Sequence, residues 1–291
     1  MKTKVLLFGS DGMLGHAVNN YFSSQDDTVV YTADRANAEY SFDFLDDEAV
    51  KKCIESVKPD VIINCAAIVN VGLCESDKGA AYLINARFVH ILASICQMYG
   101  IYLIHISTDH YYSGDTIKKH TEEDKVDLLN EYARTKYCGE QFALVNKDAL
   151  VVRTNIVGFR GRKNAPTFIE WAIGAIQSKQ QMNLFTDFYT SSIHTVQIAK
   201  ILYDLVNIKP HGLYNVASAD VSSKKEFILK LSEQLFGYYP PYVDASVNTL
   251  DCKRADSLGL CVSKAEALLG YSMPGLDEVI SSIKKEYERI K

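Results

Sequence analysis

The chain has 291 residues, of which 47% are hydrophobic and 23% charged, and a formal net charge of -5. That size accommodates one large α/β domain or a core domain with a smaller one, and the balance is that of an ordinary globular protein. The negative charge argues against a polyanion partner such as nucleic acid, and no apolar run reads as long enough to span a membrane.

Strand-like runs near residues 4–8, 28–31, 61–64, 102–106 and 150–153 alternate with amphipathic stretches, the longest at 76–99. Alternation at this spacing predicts a doubly wound parallel sheet, an α/β fold. After Gly158 the pattern loosens. A strand-like 212–216 and helix-like 224–235 and 276–290 predict a smaller cap, built mainly from the C-terminal third. The first apolar run, Val5-Leu6-Leu7-Phe8, is too short for a signal peptide and is broken by Gly9-Ser10-Asp11-Gly12. Seven scattered cysteines, odd in number and without a C-x-x-C pair, fit free thiols in a reducing cytoplasm. The seven histidines show no metal-ligand spacing.

Gly9-Ser10-Asp11-Gly12-Met13-Leu14-Gly15 follows the first strand and opens a helix. Glycines there let the backbone turn tightly and approach a diphosphate, which the helix N-terminus attracts. The spacing is G-x-x-G-x-x-G, which a plain tight turn also satisfies, but the position after strand one favours a dinucleotide. Asp34 stands where an acid meets the adenosine ribose, whereas Arg35 beside it suits a 2′-phosphate. Each also reads as a solvated loop charge. Asp46 reads as a helix N-cap, leaving Asp43 to face the adenine. Asn64-Cys65-Ala66-Ala67 ends strand three with side chains small enough for a cofactor to pass, or for ordinary tight packing. Asn85, in a long apolar helix, is either exposed or bonded inside, where it can hold a water for proton relay.

The apolar run 101–106 ends in Ser107-Thr108-Asp109-His110, and Tyr132-Ala133-Arg134-Thr135-Lys136 opens a later helix. Tyr132 and Lys136 are four apart and share a face. An ammonium beside a phenol lowers its pKa from about 10, so that it can serve as acid or base near neutrality. Tyr287 and Lys291 repeat the spacing at the end of the last helix, with no strand or hydroxyl before them. That pair reads as a solvated face, so context distinguishes the first.

Together these residues resemble the extended short-chain dehydrogenase/reductases, and more closely the dTDP-4-dehydrorhamnose reductase family. Gly9-x-x-Gly12-x-x-Gly15, Asp43-x-x-Asp46, Asn64-Cys65-Ala66-Ala67, Glu75, Asn85, Ser107-Thr108-Asp109, Gly114, Asn130-x-Tyr132-x-x-x-Lys136-x-x-Gly139-Glu140 and Arg153-Thr154 carry the resemblance. Phe185-x-Asp187 and Arg254-x-x-Ser257-x-x-Leu260 echo it more weakly. It implies a Rossmann domain at residues 1–157, onto which 183–208 pack back, and a substrate domain from 158–182 and 209–291. It implies NADPH or NADH, with Thr108, Tyr132 and Lys136 catalytic. Gly9, Asp11, Gly12, Met13, Leu14, Gly15, Asp34, Arg35, Asp43, Phe44, Cys65, Ala66, Ala67 and Asn85 would join Tyr132 and Lys136 around the cofactor.

The departures fall on the sugar side. Where the family usually has Thr-Asp-Tyr-Val-Phe-x-Gly, this chain reads Thr108-Asp109-His110-Tyr111-Tyr112-Ser113-Gly114. Arg-Thr-Ser-Trp-Val-Tyr-Gly becomes Arg153-Thr154-Asn155-Ile156-Val157-Gly158-Phe159. Asp-Gln-x-Gly-x-Pro-Thr becomes Asp187-Phe188-Tyr189-Thr190-Ser191-Ser192-Ile193, and Arg-Pro becomes Arg254-Ala255. Asp109, His110, Asn155, Arg160, Arg162 and Arg254 are the expected substrate contacts. The basic loop Arg160-Gly161-Arg162-Lys163 suits a diphosphate or a solvated turn.

The implied activity is NAD(P)H-dependent reduction of a nucleotide-linked 4-keto-6-deoxy sugar, in deoxysugar or surface polysaccharide biosynthesis. Two other readings stand beside it. One is a sugar-nucleotide epimerase with retained NAD. The other is a non-catalytic dinucleotide-binding subunit resembling that of methionine adenosyltransferase. The expected partner is the sugar nucleotide, with neither nucleic acid nor membrane, and a homodimer is open to the chain.

Overall fold

Residues 2–162 and 165–291 are described by a computed structural model. Its strands β1 (Thr3–Phe8), β2 (Thr28–Asp34), β3 (Tyr40–Ser41), β4 (Val61–Asn64), β5 (Tyr102–Ile106), β6 (Ala149–Arg153) and β7 (Gly212–Asn215) form one sheet, ordered β7-β6-β5-β4-β1-β2-β3. The pairings from β3 to β6 are parallel, with Leu6 beside Tyr31, Phe8 beside Asn64 and Asn64 beside His105. Strand order reverses at β1, which has β2 on one side and β4 on the other. The carboxyl ends of strands at such a reversal frame a ligand crevice.

The inner strands are apolar on both faces because helices cover both. Val5 to Phe8 and Val61 to Ile63 are fully buried. Against them lie α1 (Met13–Ser23), α2 (Asp47–Val57), α3 (Phe88–Tyr99) and α4 (Glu131–Val145). Leu6, Phe8, Ile62, Leu103 and Val151 share a core with Val50 and Ile54 of α2 and Val89 and Leu92 of α3. Asp46 does cap α2, accepting from the Ala49 N–H at 3.0 Å.

Lys78–Tyr99 forms one 22-residue helical run, long and apolar enough to cross a membrane by length and composition, which corrects the sequence reading. Its Ala81, Ala86, Phe88, Val89 and Leu92 are buried in this protein. A second correction concerns β7. The segment expected in the cap is the edge strand beside β6.

The chain divides into two compact units. Unit 1 is Met1–Thr108, Asn130–Arg153 and Ala199–Tyr214; unit 2 is Asp109–Leu129, Thr154–Ile198 and Asn215–Lys291. This differs from the expected division. Residues 109–129, 154–157 and 183–198 belong to unit 2, and 209–214 to unit 1. For 209–214 the reason is β7, which adds to the central sheet next to the end of α6 (Thr195–Ile208).

Unit 2 packs Ile169 and Ile173 of α5 (Phe168–Gln177), Phe227 and Leu231 of α7 (Lys224–Phe236), and Val279 and Ile283 of α8 (Leu276–Ile290) into one core. Tyr189–Thr190 pairs antiparallel with Ser222–Ser223 and parallel with Ser257–Leu258. Ser223 then caps α7 in a reciprocal box with Glu226, which sets the direction in which Lys224 leaves the strand.

Candidate active site

The glycine turn of unit 1 has the form a dinucleotide cradle requires. Gly9 has φ +77°, and a Cβ there would lie 2.6 Å from the Ala66 nitrogen. A Cβ on Gly15 would lie 2.1 Å from the Gly9 oxygen. The turn therefore presses on the Cys65–Ala66 backbone while α1 presses on the turn, and side chains are excluded from both contacts. Gly12, the N-cap of α1, offers no side chain to the first-turn N–H groups, leaving them for an anion. Leu14 turns its side chain into the core.

At the end of β2, the Asp34 carboxylate accepts the Asp11 N–H at 2.9 Å and the Arg35 N–H at 2.7 Å. It thus ties the glycine turn to the end of β2. Arg35 and Asp43 line a cavity of about 690 Å³ together with Asp77, Ile68 and Leu83. Ile68 and Leu83 were not foreseen, since no motif marks an apolar cavity wall, and neither was Asp77. Phe44 does not face this space: its ring stacks on Phe88 at 4.9 Å and meets Phe8 edge-on at 5.6 Å.

Asn85 is fully buried, and its amide is engaged on both ends. It accepts from the Ile68 N–H at 2.8 Å and donates to the Ile68 carbonyl at 3.0 Å and to Thr135 Oγ1 at 3.2 Å. It holds the loop after β4 against α4. The expected water relay finds no spare Asn85 N–H in this arrangement.

The residues expected to be catalytic follow β5 or lie on α4. Asn130 caps α4 by accepting the Ala133 N–H at 2.9 Å, and Glu75 accepts the Glu131 N–H at 2.7 Å. These two acceptors set the first turn on which Tyr132 sits. Thr108, Tyr132 and Lys136 are all buried in unit 1. The Lys136 ammonium donates to the Ile106 carbonyl at 2.7 Å. Burial pulls its pKa down to about 8, against the opposing pull of Glu140 and Cys65. The Cys65 thiol is pushed up to about 12 by its own burial, with Lys136 drawing it down, so the small-residue turn after β4 lies in the field of this lysine. His105 is held neutral by burial and then by Lys136, and shares a 3.2 Å hydrogen bond with the Asn64 amide.

Beneath them runs a buried charge network. Arg153 grips Glu140 through Nε at 3.0 Å and Nη2 at 2.5 Å, and Ser107 Oγ donates to the same carboxylate at 2.9 Å. The Ser107 N–H donates to the Val152 carbonyl at 2.7 Å. Strand ends β5 and β6 and helix α4 are thereby locked together directly below Thr108 in the chain.

The six expected substrate contacts lie in unit 2, and Lys163 of the basic loop falls outside the described residues. Asn155 donates to Asp109 at 2.7 Å and accepts from Ser192 Oγ at 2.6 Å. His110 meets Phe188 edge-on, and burial, followed by Arg254 and Lys224, lowers its pKa to about 3. Arg254 is half-buried, and its Nε is buried without a hydrogen-bond partner. The Arg160 guanidinium donates to the Ala165 carbonyl and its N–H to Glu170, which ties it into its own loop, while its Nε, like that of Arg254, is buried without a hydrogen-bond partner. Arg162 is exposed. Lys224 was missed, because a lysine opening a helix carries no sequence signal.

Residues 3–274 match the family model described as the RmlD substrate binding domain. The chain is 28% identical to the probable low-salt glycan biosynthesis reductase Agl14 of Haloferax volcanii, over 96% of each chain. It is 27% identical to the dTDP-4-dehydrorhamnose reductase of Escherichia coli, over 79% of this chain and 77% of that one. Its fold is similar to that of the dTDP-4-dehydrorhamnose reductase of Bacillus anthracis, solved in complex with NADP. The TM-score is 0.88 at 23% identity, covering 98% of this chain and 100% of the other.

Proposed function

The chain belongs to the RmlD substrate binding domain family, and from that premise we propose that it is an NAD(P)H-dependent oxidoreductase of nucleotide-linked sugars. In its finer form the reading is reduction of a 4-keto-6-deoxy sugar nucleotide to the alcohol, within deoxysugar or polysaccharide biosynthesis. The observation that carries it is the set Thr108, Tyr132 and Lys136, buried together in unit 1 on a sheet whose first turn and α1 N-terminus are shaped for a dinucleotide.

When bound, NAD(P)H supplies the hydride that reaches the keto carbon. Thr108 donates a hydrogen bond to the keto oxygen, and the Tyr132 hydroxyl delivers the proton that turns the developing alkoxide into an alcohol. Lys136 keeps the phenol acidic by placing a positive charge beside the phenolate it leaves behind. The Ile106 carbonyl holds one ammonium proton and so fixes where that charge stands. Arg35 favours a 2′-phosphate, whereas the Asp34 carboxylate already accepts two backbone N–H groups. Unit 2 supplies the grip on the sugar nucleotide through Asp109, Asn155 and Arg254.

A panel of dTDP-, GDP-, CDP- and UDP-linked 4-keto-6-deoxy sugars, followed by NADPH absorbance, tests the reading. Oxidation of NADPH with one nucleotide series is expected. No oxidation with any of them, together with a tightly held cofactor that stays oxidised, would replace reduction by epimerisation.

A further inference from the structure

Lys224 is half-buried at the first position of α7. Its ammonium stands 4.7 Å from the Phe168 ring centre, 5.8 Å from Phe188 and 5.9 Å from Phe227. Its backbone N–H is pinned to the Phe188 carbonyl at 3.0 Å, so the side chain leaves from a fixed point. The ammonium has one long hydrogen bond, 3.4 Å to Ser192 Oγ. Ser192 donates in turn to Asn155, and Asn155 to Asp109, the residue that follows Thr108 in the chain. Aromatic faces stabilise a cation but leave its N–H groups without acceptors.

A second cation acts on the same spot. Arg254 and Lys224 both press on His110. Arg254 has a buried Nε without a hydrogen-bond partner. Asp109 is the acid that acts on Lys224, and it is already held by Asn155. Two half-buried cations therefore act on one neutral histidine, and the acid that acts on Lys224 is already bonded by Asn155. Burial draws the Lys224 pKa down to about 8, the direction expected of an ammonium short of a counter-charge.

We propose that Lys224, together with Arg254, forms an oxyanion-binding pair in unit 2 that holds an anionic group of the sugar nucleotide. The inference rests on the sugar-nucleotide reading and adds a residue and a ligand chemistry to it. Two parts of such a substrate present anionic oxygens: the diphosphate, and an acidic substituent on the sugar. Lys225, the next residue, does not share the site. It pairs with Asp244 at 2.6 Å and lies over Tyr242.

The test is calorimetric binding to the full-length chain without NAD(P)H. The ligands are the four nucleoside diphosphates, UDP-glucose and UDP-glucuronic acid. Lys224→Met keeps the stem over the rings and removes the charge, and Lys224→Arg restores a charge. Loss of one charge-assisted hydrogen bond corresponds to roughly 10–100-fold in affinity. If the diphosphate is the anion, Lys224→Met weakens the bare nucleoside diphosphate by that factor. If the sugar carries it, the diphosphates and UDP-glucose bind as before and UDP-glucuronic acid weakens. Lys224→Arg recovers most of the loss in either case, and Lys225→Met changes neither. Wild-type affinity of Lys224→Met for every ligand that the wild type binds overturns this proposal alone. A wild type that binds none of the ligands overturns it together with the sugar-nucleotide reading.

Discussion

The Lys136 ammonium donates to the Ile106 carbonyl at 2.7 Å, so the last residue of β5 fixes the charge on α4. Strand and helix are then registered by Lys136 itself, and the proposed chemistry depends on a charge that burial has made easier to lose.

That dependence sets a pH limit. The folded pKa of Lys136 is about 8, below its ordinary 10.5. Above about pH 8 the ammonium loses its proton and no longer favours the phenolate, so kcat/KM for NAD(P)H-dependent reduction should decline there. The same shift acts on stability. Between about 8 and 10.5 the unfolded chain binds more protons at this residue than the folded one, so its contribution to stability rises with pH through that window. Urea titrations of the wild type and Lys136→Met, without cofactor, should diverge in that direction. A difference independent of pH would show that Lys136 is not the titrating group.

Tyr132→Phe removes one hydroxyl from a buried ring. Turnover should fall by roughly 10²–10⁴-fold, the size of a general-acid contribution, with NADPH affinity nearly unchanged. Tyr287→Phe is the matched control. Tyr287 packs against the core of unit 2 and accepts a hydrogen bond from Gln177 at 2.8 Å, so its loss should leave turnover as it was. Undiminished turnover in Tyr132→Phe would sink the mechanism.

Glu140 is fully buried and bonded by both Arg153 and Ser107. Glu140→Ala should destabilise the protein by about 3–5 kcal/mol, because it strands a buried guanidinium. Replacing both partners by apolar residues should destabilise it less than the single change. Chemical denaturation of the two single variants and the double variant measures the coupling, and strictly additive losses would contradict it.

Arg35→Ala should weaken NADPH more than NADH by about 1–2 kcal/mol, the size of a charge-assisted hydrogen bond to a 2′-phosphate. Fluorescence titration of both cofactors reads this directly. Equal losses would remove Arg35 from the cofactor site.

Gly15→Ala places a methyl group 2.1 Å from the Gly9 oxygen. α1 must then move off the turn, and affinity for either cofactor should fall by at least tenfold while the chain stays folded, as circular dichroism can verify. Unchanged affinity would mean the diphosphate does not use this turn.

Much of this was legible in the sequence because the signals are local. β1, β4, β5 and β6 are short apolar runs, the Asp46 cap is one side chain reaching three residues ahead, and Tyr132 and Lys136 share a face through helix period alone. The glycine turn was legible because a strand followed at once by glycines and a helix leaves little room for another conformation.

Other features depended on residues far apart in the chain, and only the tertiary structure decided them. Residues 212–215 have too few neighbours of their own to choose between a cap and a sheet edge, and the free edge of β6 made the choice. Asn85 reads in sequence as either exposed or bonded inside, and its bonds to Ile68 and Thr135 in the fold decide for the inside. Arg254 presses on His110, a residue 144 positions earlier in the chain, and only the fold brings the two within each other's field. Lys224 acquired its three aromatic neighbours from segments 36 residues upstream, 56 upstream and 3 downstream. A side chain's chemistry is set by what desolvates it and what pairs with it, and for these residues both come through long-range packing.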